Sequence, residues 1–386
     1  MPEPTRQEIV NKFFEHGYLL TPDALEFLEK SKNYEKLLDE IKITDKFIID
    51  KNDFAKLEPA ETEKIKILKN LTTKPANLTT NDFVRFYNSK YEKMRDIIAE
   101  RVKKDFISFD KLDNSRNEVY VIGIVKEIRT EDNKKIIELE DLTGLITAIF
   151  DKEVDVEPDS VIAVRGISDR PLIGKDIIYP DIPLRQPIKG NGKICAISDL
   201  HLEEAPLDAL INFLKWFKDQ NIKYLLVTGD VVDLDRFNKQ VSKYIPDKTV
   251  FLIPGNADPV VGSEYPSLPI DIVTDTPSVR HGLTNDNIIS LSNPSMIEIN
   301  NIKILLIHSF EQNMLNKRYL GKSKLILDED YLVLDYVPDI VVCGHTHEPF
   351  VTNYKSVTIV NPGSLLTEFR PTVVDLATRE WEQLRF

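Results

Sequence analysis

The stretch Lys193-Ile-Cys-Ala-Ile-Ser-Asp-Leu-His201 decides how the rest of the chain is read. An apolar run ends there in Asp199 and His201, and in extended backbone residues i and i+2 share a side. One carboxylate oxygen and one imidazole nitrogen can therefore reach a single ion. The pair gains meaning from the residues at the ends of the other apolar runs. After Tyr224-Leu-Leu-Val227 come Gly229-Asp230, and after Thr249-Val-Phe-Leu-Ile253 come Gly255-Asn256. After Ile302-Lys-Ile-Leu-Leu-Ile307 comes His308, and after Ile340-Val-Val342 come Gly344-His345-Thr-His347. Five strand-like runs thus end in potential metal ligands, and four of the six histidines belong to the set. In α/β sheets ligands gather outside the carboxyl ends of strands, where the loops converge. Glycines before three of the five clusters let the backbone turn sharply and come close.

The donor types narrow the chemistry. Two carboxylates (Asp199, Asp230), one amide (Asn256) and four imidazoles (His201, His308, His345, His347) make an oxygen and nitrogen site without thiolate. That disfavours an iron–sulfur cluster or a structural zinc site and suits manganese, iron or zinc. Seven ligands are too many for one catalytic ion and right for two that share an aspartate. Two ions about 3.5–4 Å apart clamp the attacking and leaving oxygens of a phosphoryl displacement. Phosphate ester hydrolysis is the implied reaction class.

The remaining chain of 386 residues divides by pattern. Residues 1–45 read as a helical N-terminal domain, with Thr21 capping a second helix that opens at Pro22. Within the first helix, Gln7, Val10, Phe13 and Phe14 fit a short box similar to sliding-clamp ligands. Ile9, Val10, Phe13 and Phe14 also read as simply the buried face of that helix, which is the favoured reading. Residues 46–112 read as linker and helix: 70–80 is threonine- and proline-rich, and 81–104 carries a helical stripe from Phe83 to Ile98. Residues 113–188 alternate in short β segments, the pattern of an OB-like β-barrel. Few aromatics mark it, so a partner-binding role is favoured over a single-stranded DNA platform. Tyr179-Pro-Asp-Ile-Pro183 is a stiff connector. Residues 189–386 alternate strand and helix, the grammar of a layered α/β domain.

Composition excludes several classes. Sixty-three acidic against fifty basic residues leave a charge of −13, a poor fit to a protein that grips nucleic acid alone. Cys195 and Cys343 lie in apolar runs and read as buried free thiols in a reducing compartment. No apolar run approaches a membrane span and the N-terminus lacks a signal-peptide core. No membrane partner and a cytoplasmic, intracellular setting are expected.

The ligand clusters resemble those of the calcineurin-like metallophosphoesterases. The helical N-terminal module, the barrel with Leu139-Glu-Asp-Leu-Thr-Gly144, Pro180-Asp-Ile-Pro183, Ser292-Asn-Pro294, Val337-Pro-Asp339 and Asn361-Pro-Gly-Ser364 together resemble small subunits of archaeal D-family DNA polymerases. The resemblance implies a multidomain chain whose C-terminal domain is a two-sheet αββα sandwich. It also implies a large catalytic polymerase subunit as partner, DNA as substrate, a nucleoid-associated setting, and a 3′→5′ exonuclease site with two divalent ions. Mn2+ is the foremost candidate, with Fe2+ or Zn2+ as alternatives. Carried over by position, Asp199, His201, Asp230 and His347 hold one ion. Asp230, Asn256, His308 and His345 hold the other, with Asp230 and Asn256 as the catalytic core. One departure matters: the family's Gly-Asn-His-Asp runs Gly255-Asn256-Ala257-Asp258 here, so Ala257 replaces the histidine that serves the leaving oxygen. Ser309 after His308 is a milder change, and His281 is a further unassigned imidazole. Two readings remain, an active nuclease subunit and a scaffold with a retained metal site. A free-standing phosphodiesterase is disfavoured, since it needs neither N-terminal module nor barrel.

Overall fold

The computed structural model describes residues 6–30, 38, 47–55, 64–73, 78–258, 265–270 and 287–386. Part of the 70–80 linker, and His281, lie outside the described residues. The chain separates into two compact units, Met1–Lys64 and Ile65–Phe386.

In the first unit, α1 (Arg6–Glu15) and α2 (Pro22–Lys30) pack with α3 (Lys51–Ala55) around Ile9, Phe13, Ala24, Leu28, Ile49 and Phe54. The Phe13 and Phe54 rings meet edge to face at 5.8 Å between centroids, a favoured aromatic geometry. Strands β1 (Leu19–Leu20) and β2 (Ile48–Ile49) form a short parallel pair.

The second unit begins with an element that the sequence places in the linker. Residues Ile65–Lys69 form β3, an edge strand of the C-terminal domain. Helix α4 (Thr80–Val102) follows, and its Asp82 carboxylate accepts the Thr79 amide at 2.8 Å. The expected stripe holds at its core, where Phe86, Tyr91, Met94 and Ile98 are buried, whereas Phe83 and Tyr87 are exposed. Tyr91, Met94 and Ile98 pack on barrel residues Ile122, Val161 and Ala163 and on Val333.

Strands β4 (Glu118–Glu131), β5 (Lys134–Asp141), β6 (Gly144–Phe150), β7 (Val161–Ile167) and β8 (Leu172–Ile178) close a five-stranded barrel in the order β4-β5-β6-β8-β7. The fifth strand is absent from the sequence reading. The barrel is filled by Val121, Val125, Ile137, Leu139, Phe150, Val164 and neighbours. In the connector, Ile182 is fully buried and Asp181 accepts the Tyr354 hydroxyl at 3.0 Å.

The C-terminal domain contains β9 (Lys193–Ile197), α5 (Leu207–Asp219), β10 (Tyr224–Thr228), α6 (Leu234–Tyr244), β11 (Thr249–Ile253), β12 (Ile288–Ser290), β13 (Ser295–Ile299), β14 (Ile302–Leu306) and α7 (Asn313–Lys317). It ends with β15 (Ile340–Val342), β16 (Phe350–Tyr354), β17 (Val357–Asn361), β18 (Thr372–Asp375) and β19 (Trp381–Gln383). These form two six-stranded sheets, β12-β11-β10-β9-β18-β19 and β16-β17-β15-β14-β13-β3. A core between the sheets joins Ala196, Leu226 and Phe251 of one to Ile297, Ile304, Leu306 and Val342 of the other. Helices α5 and α6 cover the outer face of the first sheet through Phe213, Phe217, Phe237 and Val241. The sandwich is thus as expected, with a difference in its fourth layer. The outer face of the second sheet is covered mainly by the short α7, the segment around Leu320–Leu334 and Phe86 of α4.

Strand polarity positions the site. Strands β9, β10 and β11 run parallel, as do β14, β15 and β17. Their carboxyl ends emerge on one rim of the sandwich.

Lys69 secures β3: its ammonium donates to the Val333 carbonyl (2.7 Å) and pairs with Asp335 (2.9 Å), 4.9 Å above the Tyr331 ring. Lys69→Ala leaves the buried Val333 carbonyl unmet and is expected to cost about 1–3 kcal/mol. Urea unfolding of wild type and variant measures this; an unchanged midpoint would show that β3 contributes nothing.

Candidate metal centre

At three of the five strand ends, after β9, β10 and β15, the ligands sit on tight turns. Asp199, His201, Asp230, His345 and His347 all adopt left-handed backbone, with φ between 42° and 70°. For a residue with a Cβ such conformations cost roughly 1–3 kcal/mol each and persist where the surroundings enforce them. Five of seven ligands on strained turns point to a site shaped for function. The glycines act by size: a Cβ on Gly229 would lie 2.6 Å from the Gly255 Cα.

All seven sequence-predicted ligands converge. Oxygen and nitrogen atoms of Asp199, His201, Asp230 and His347 lie within 4.8 Å of one another. His201 Nε2 is 3.2 Å from His347 Nε2, and His347 Nε2 is 3.4 Å from Asp199 Oδ1. Beside this group, Asn256 Oδ1 is 2.9 Å from both His308 Nε2 and His345 Nδ1. Asp230 Oδ2 lies between the two groups, 3.8 Å from His201 Nε2 and 3.3 Å from His308 Nε2. Asp199, Asp230 and His308 are buried, His201 and His347 half-buried, and Asn256 and His345 exposed. The centre is therefore anchored at its base and open on one side.

The donor set fits a cation. His308 Nδ1 lies 2.7 Å from the Thr228 carbonyl, which can only accept, so in the neutral ring the proton sits there and Nε2 carries a lone pair. That lone pair faces the Asp230 carboxylate and the Asn256 oxygen, an arrangement that repels unless positive charge lies between them. The titration directions show the same demand for positive charge at this point, which a proton on His308 also meets. Burial works to raise the Asp230 pKa, but His308 outweighs it and holds the carboxyl below its usual range. Burial works to lower His308, and the Asp230 carboxylate outweighs that and lifts it.

Several residues that no ligand pattern marks hold the ligands. Ser198 Oγ lies 2.5 Å from Asp199 Oδ2, and the His345 amide donates to the same oxygen at 3.0 Å. The Asp199 carbonyl accepts from Ser364 Oγ (2.9 Å) and the Leu365 amide (3.0 Å). Asn361 Nδ2 donates to the Gly344 carbonyl at 2.9 Å, pinning the turn that carries both histidines. Asp258 accepts from three backbone amides, those of Gly255, Val232 and Asp230. The motifs containing Asn361, Ser364 and Asp258 are visible in the sequence, but a role that depends on backbone partners on other strands is not. Ala257 sits exposed at the open edge, and its amide donates to Asp230 Oδ1 at 2.7 Å. The box residues of α1 do not share one face: Phe13 is buried, whereas Gln7 and Phe14 are exposed. Cys195 and Cys343 are buried free thiols, and burial pushes both upward in pKa. Among the described residues, no helix is long and apolar enough to cross a membrane.

Residues 193–380 match the model of the calcineurin-like phosphoesterase superfamily domain. The C-terminal part of the chain is thus a metallophosphoesterase-type domain. The DNA polymerase II small subunit of Archaeoglobus fulgidus is 27% identical, over 95% of this chain and 93% of its own. That of Methanothermobacter thermautotrophicus is also 27% identical, over 75% of this chain and 74% of its own. That of Thermoplasma acidophilum is 27% identical over 94% and 86%. Taken whole, the chain is a relative of the archaeal DNA polymerase II small subunits, and the resemblance read from its motifs is borne out. A solved archaeal phosphodiesterase is similar over 50% of this chain and 99% of its own, at 20% identity with a TM-score of 0.37.

A methyl group at Gly255 would lie 2.5 Å from the Asp230 amide nitrogen. Gly255→Ala is expected to lower Mn2+ affinity by about tenfold or more, as displaced supporting contacts do at metal sites. Calorimetric titration measures it, and unaltered binding would refute the close-approach argument.

Proposed function

We propose that this chain is the small subunit of a heteromeric DNA polymerase, scaffolding a large catalytic subunit and carrying a two-metal phosphodiesterase site of the 3′→5′ exonuclease type. The observation that carries the reading is the convergence of all seven ligand positions, five of them on left-handed turns, with Asp230 Oδ2 between the two groups. The barrel, α4 and N-terminal unit, none needed for a phosphodiesterase alone, support the scaffolding role, as does similarity to polymerase small subunits over nearly the whole chain. Such a role places the chain in the cytoplasm at the nucleoid, with DNA as substrate.

Asp199, His201, His347 and Asp230 would hold one divalent ion, and Asp230, Asn256, His308 and His345 the other, Mn2+ foremost. When bound, the ions supply charge neutralisation at the phosphodiester and acidify the attacking water. The chain's own residues supply placement. Thr228 fixes the His308 ring, the Ala257 amide fixes Asp230, and the Asn361–Ser364 turn fixes Asp199 and the His345–His347 loop. None of these groups supplies a proton to the leaving oxygen, and Ala257 has no side chain to do so. A positioned acid typically contributes about 10²–10⁴ in rate.

That deficit favours a second reading, a scaffold whose metal centre is structural. The two are separated with Mn2+ and 3′-labelled single-stranded DNA. Slow release of nucleotides by wild type, acceleration of roughly 10²–10⁴ by Ala257→His, and loss of both metal and activity in Asp230→Ala are expected. A wild type as fast as Ala257→His would show that the missing histidine does not limit the rate. Metal content unchanged in Asp230→Ala would sink the two-metal assignment.

A sliding-clamp contact through the α1 box would use Gln7 and Phe14 as they stand, with Val10 beside them and Phe13 only by leaving its core. If the box binds a clamp, Phe14→Ala weakens clamp capture while thermal stability holds. Unchanged affinity rejects the contact.

A further inference from the structure

Asp258 plays no part in the ligand set, yet it is almost fully buried (2% exposed). Its Oδ1 accepts the Val232 amide at 2.8 Å. Its Oδ2 accepts the amides of Gly255 at 2.7 Å and Asp230 at 3.0 Å. A single carboxylate thus ties the loop after β10 to the loop after β11. Both residues of the β10 loop that it holds, Asp230 and Val232, are in left-handed backbone, φ 53° and 68°. For the β-branched Val232 this is a marked outlier, so the carboxylate is spent on keeping an otherwise unfavourable turn closed.

The consequence falls on one oxygen. With its backbone fixed by Asp258 and its Oδ1 taken by the Ala257 amide, Asp230 has only Oδ2 left to turn toward His201 and His308. Asn256 stands in the four-residue turn Gly255–Asp258 that the same carboxylate closes. We infer that Asp258 is a positioning residue that sets the orientation of Asp230 and the placement of Asn256, and so governs the second ion, which would take both of these ligands, more than the first, which would take only Asp230. The first ion's other ligands, Asp199, His201 and His347, hang on the loops after β9 and β15, which Asp258 does not bond directly and reaches only through the β10 loop, whose Gly229 and Asp230 carbonyls accept the Asp199 and His201 amides. This inference rests on the two-metal reading above.

Asp258→Asn keeps the side chain's shape, but its amide can satisfy at most two of the three N–H donors and sets a donor against the third. Mn2+ titration of the full chain by calorimetry, with electron paramagnetic resonance of the loaded protein, tests it. Wild type is expected to take two ions as a spin-coupled pair. Asp258→Asn should keep the first ion's affinity, lose about 10–100-fold for the second, and show the six-line signal of isolated Mn2+. Circular dichroism and thermal unfolding in chelator check the fold. Asp258→Glu, which retains the charge at a changed reach, replaces the variant if it melts, with the same selective loss expected. Two coupled ions bound as in wild type would overturn the inference alone, as would equal loss of both ions from a folded variant. A wild type without a second ion would overturn the two-metal reading and this inference with it.

Discussion

The architecture turns on a carboxylate that has one oxygen to give. Asp230 is buried, its backbone amide bonded to Asp258 and its Oδ1 to the Ala257 amide, and only Oδ2 faces the histidines. A buried carboxylate without charge compensation is expensive. The sandwich therefore brings imidazoles from its second sheet, His308 above all, to the same rim as the carboxylates of the first. Parallel runs in both sheets make this possible, because strand ends that point the same way put their loops on the same side. The left-handed turns are needed as well: a side chain that leaves a strand in ordinary extended geometry points into a sheet face, not back over the rim. The core between the sheets, rich in Ile, Leu and Val, supplies the rigidity that holds such turns closed.

The convergence of the seven candidate ligands was legible in the sequence because they are marked by position. Each comes after an apolar run, and each is a residue type with a reason to be unusual there. The strands of the parallel cores were legible for the same reason, being continuous apolar runs. The missing elements lack such local marks. Ile65-Lys-Ile-Leu-Lys69 is short and lysine-rich, and its partner β13 lies more than two hundred residues away. Its identity as a strand depends on that pairing, which no window of sequence contains. The fifth barrel strand, Leu172–Ile178, is interrupted by Gly174 and Lys175. Gly174 is required because the Phe150 ring fills the space where a Cβ would go, a fact of packing that composition does not express. Asp258 belongs to the same class: an acid next to a ligand reads as a ligand or a surface charge until its three amide partners are seen.

Position 257 separates two properties that a single motif usually carries together. Building the centre needs the backbone N–H of that residue, because Asp230 Oδ1 bonds to it, and any residue except proline provides one. Moving a proton to a leaving group needs a side chain, and alanine provides none. Metal binding and hydrolytic rate can therefore diverge at this position without any change in fold. Retained ligands and a missing acid are compatible for that reason, and neither observation cancels the other.

The charges around the centre show the same division of labour. No lysine or arginine lies within three residues of any of the seven ligands, whereas Glu203, Glu204 and Glu348 stand exposed beside His201 and His347. The nearby Arg236 guanidinium is engaged with the Leu202 carbonyl, and Arg370 with Glu368. Affinity for a nucleic-acid strand comes largely from cations placed along its phosphates, and these residues offer none. On the proposed reading, what the centre would recognise is the single phosphodiester at its ligands. The grip on the rest of a strand would have to come from elsewhere, which weighs toward a chain that works beside another and against one that acts on DNA alone.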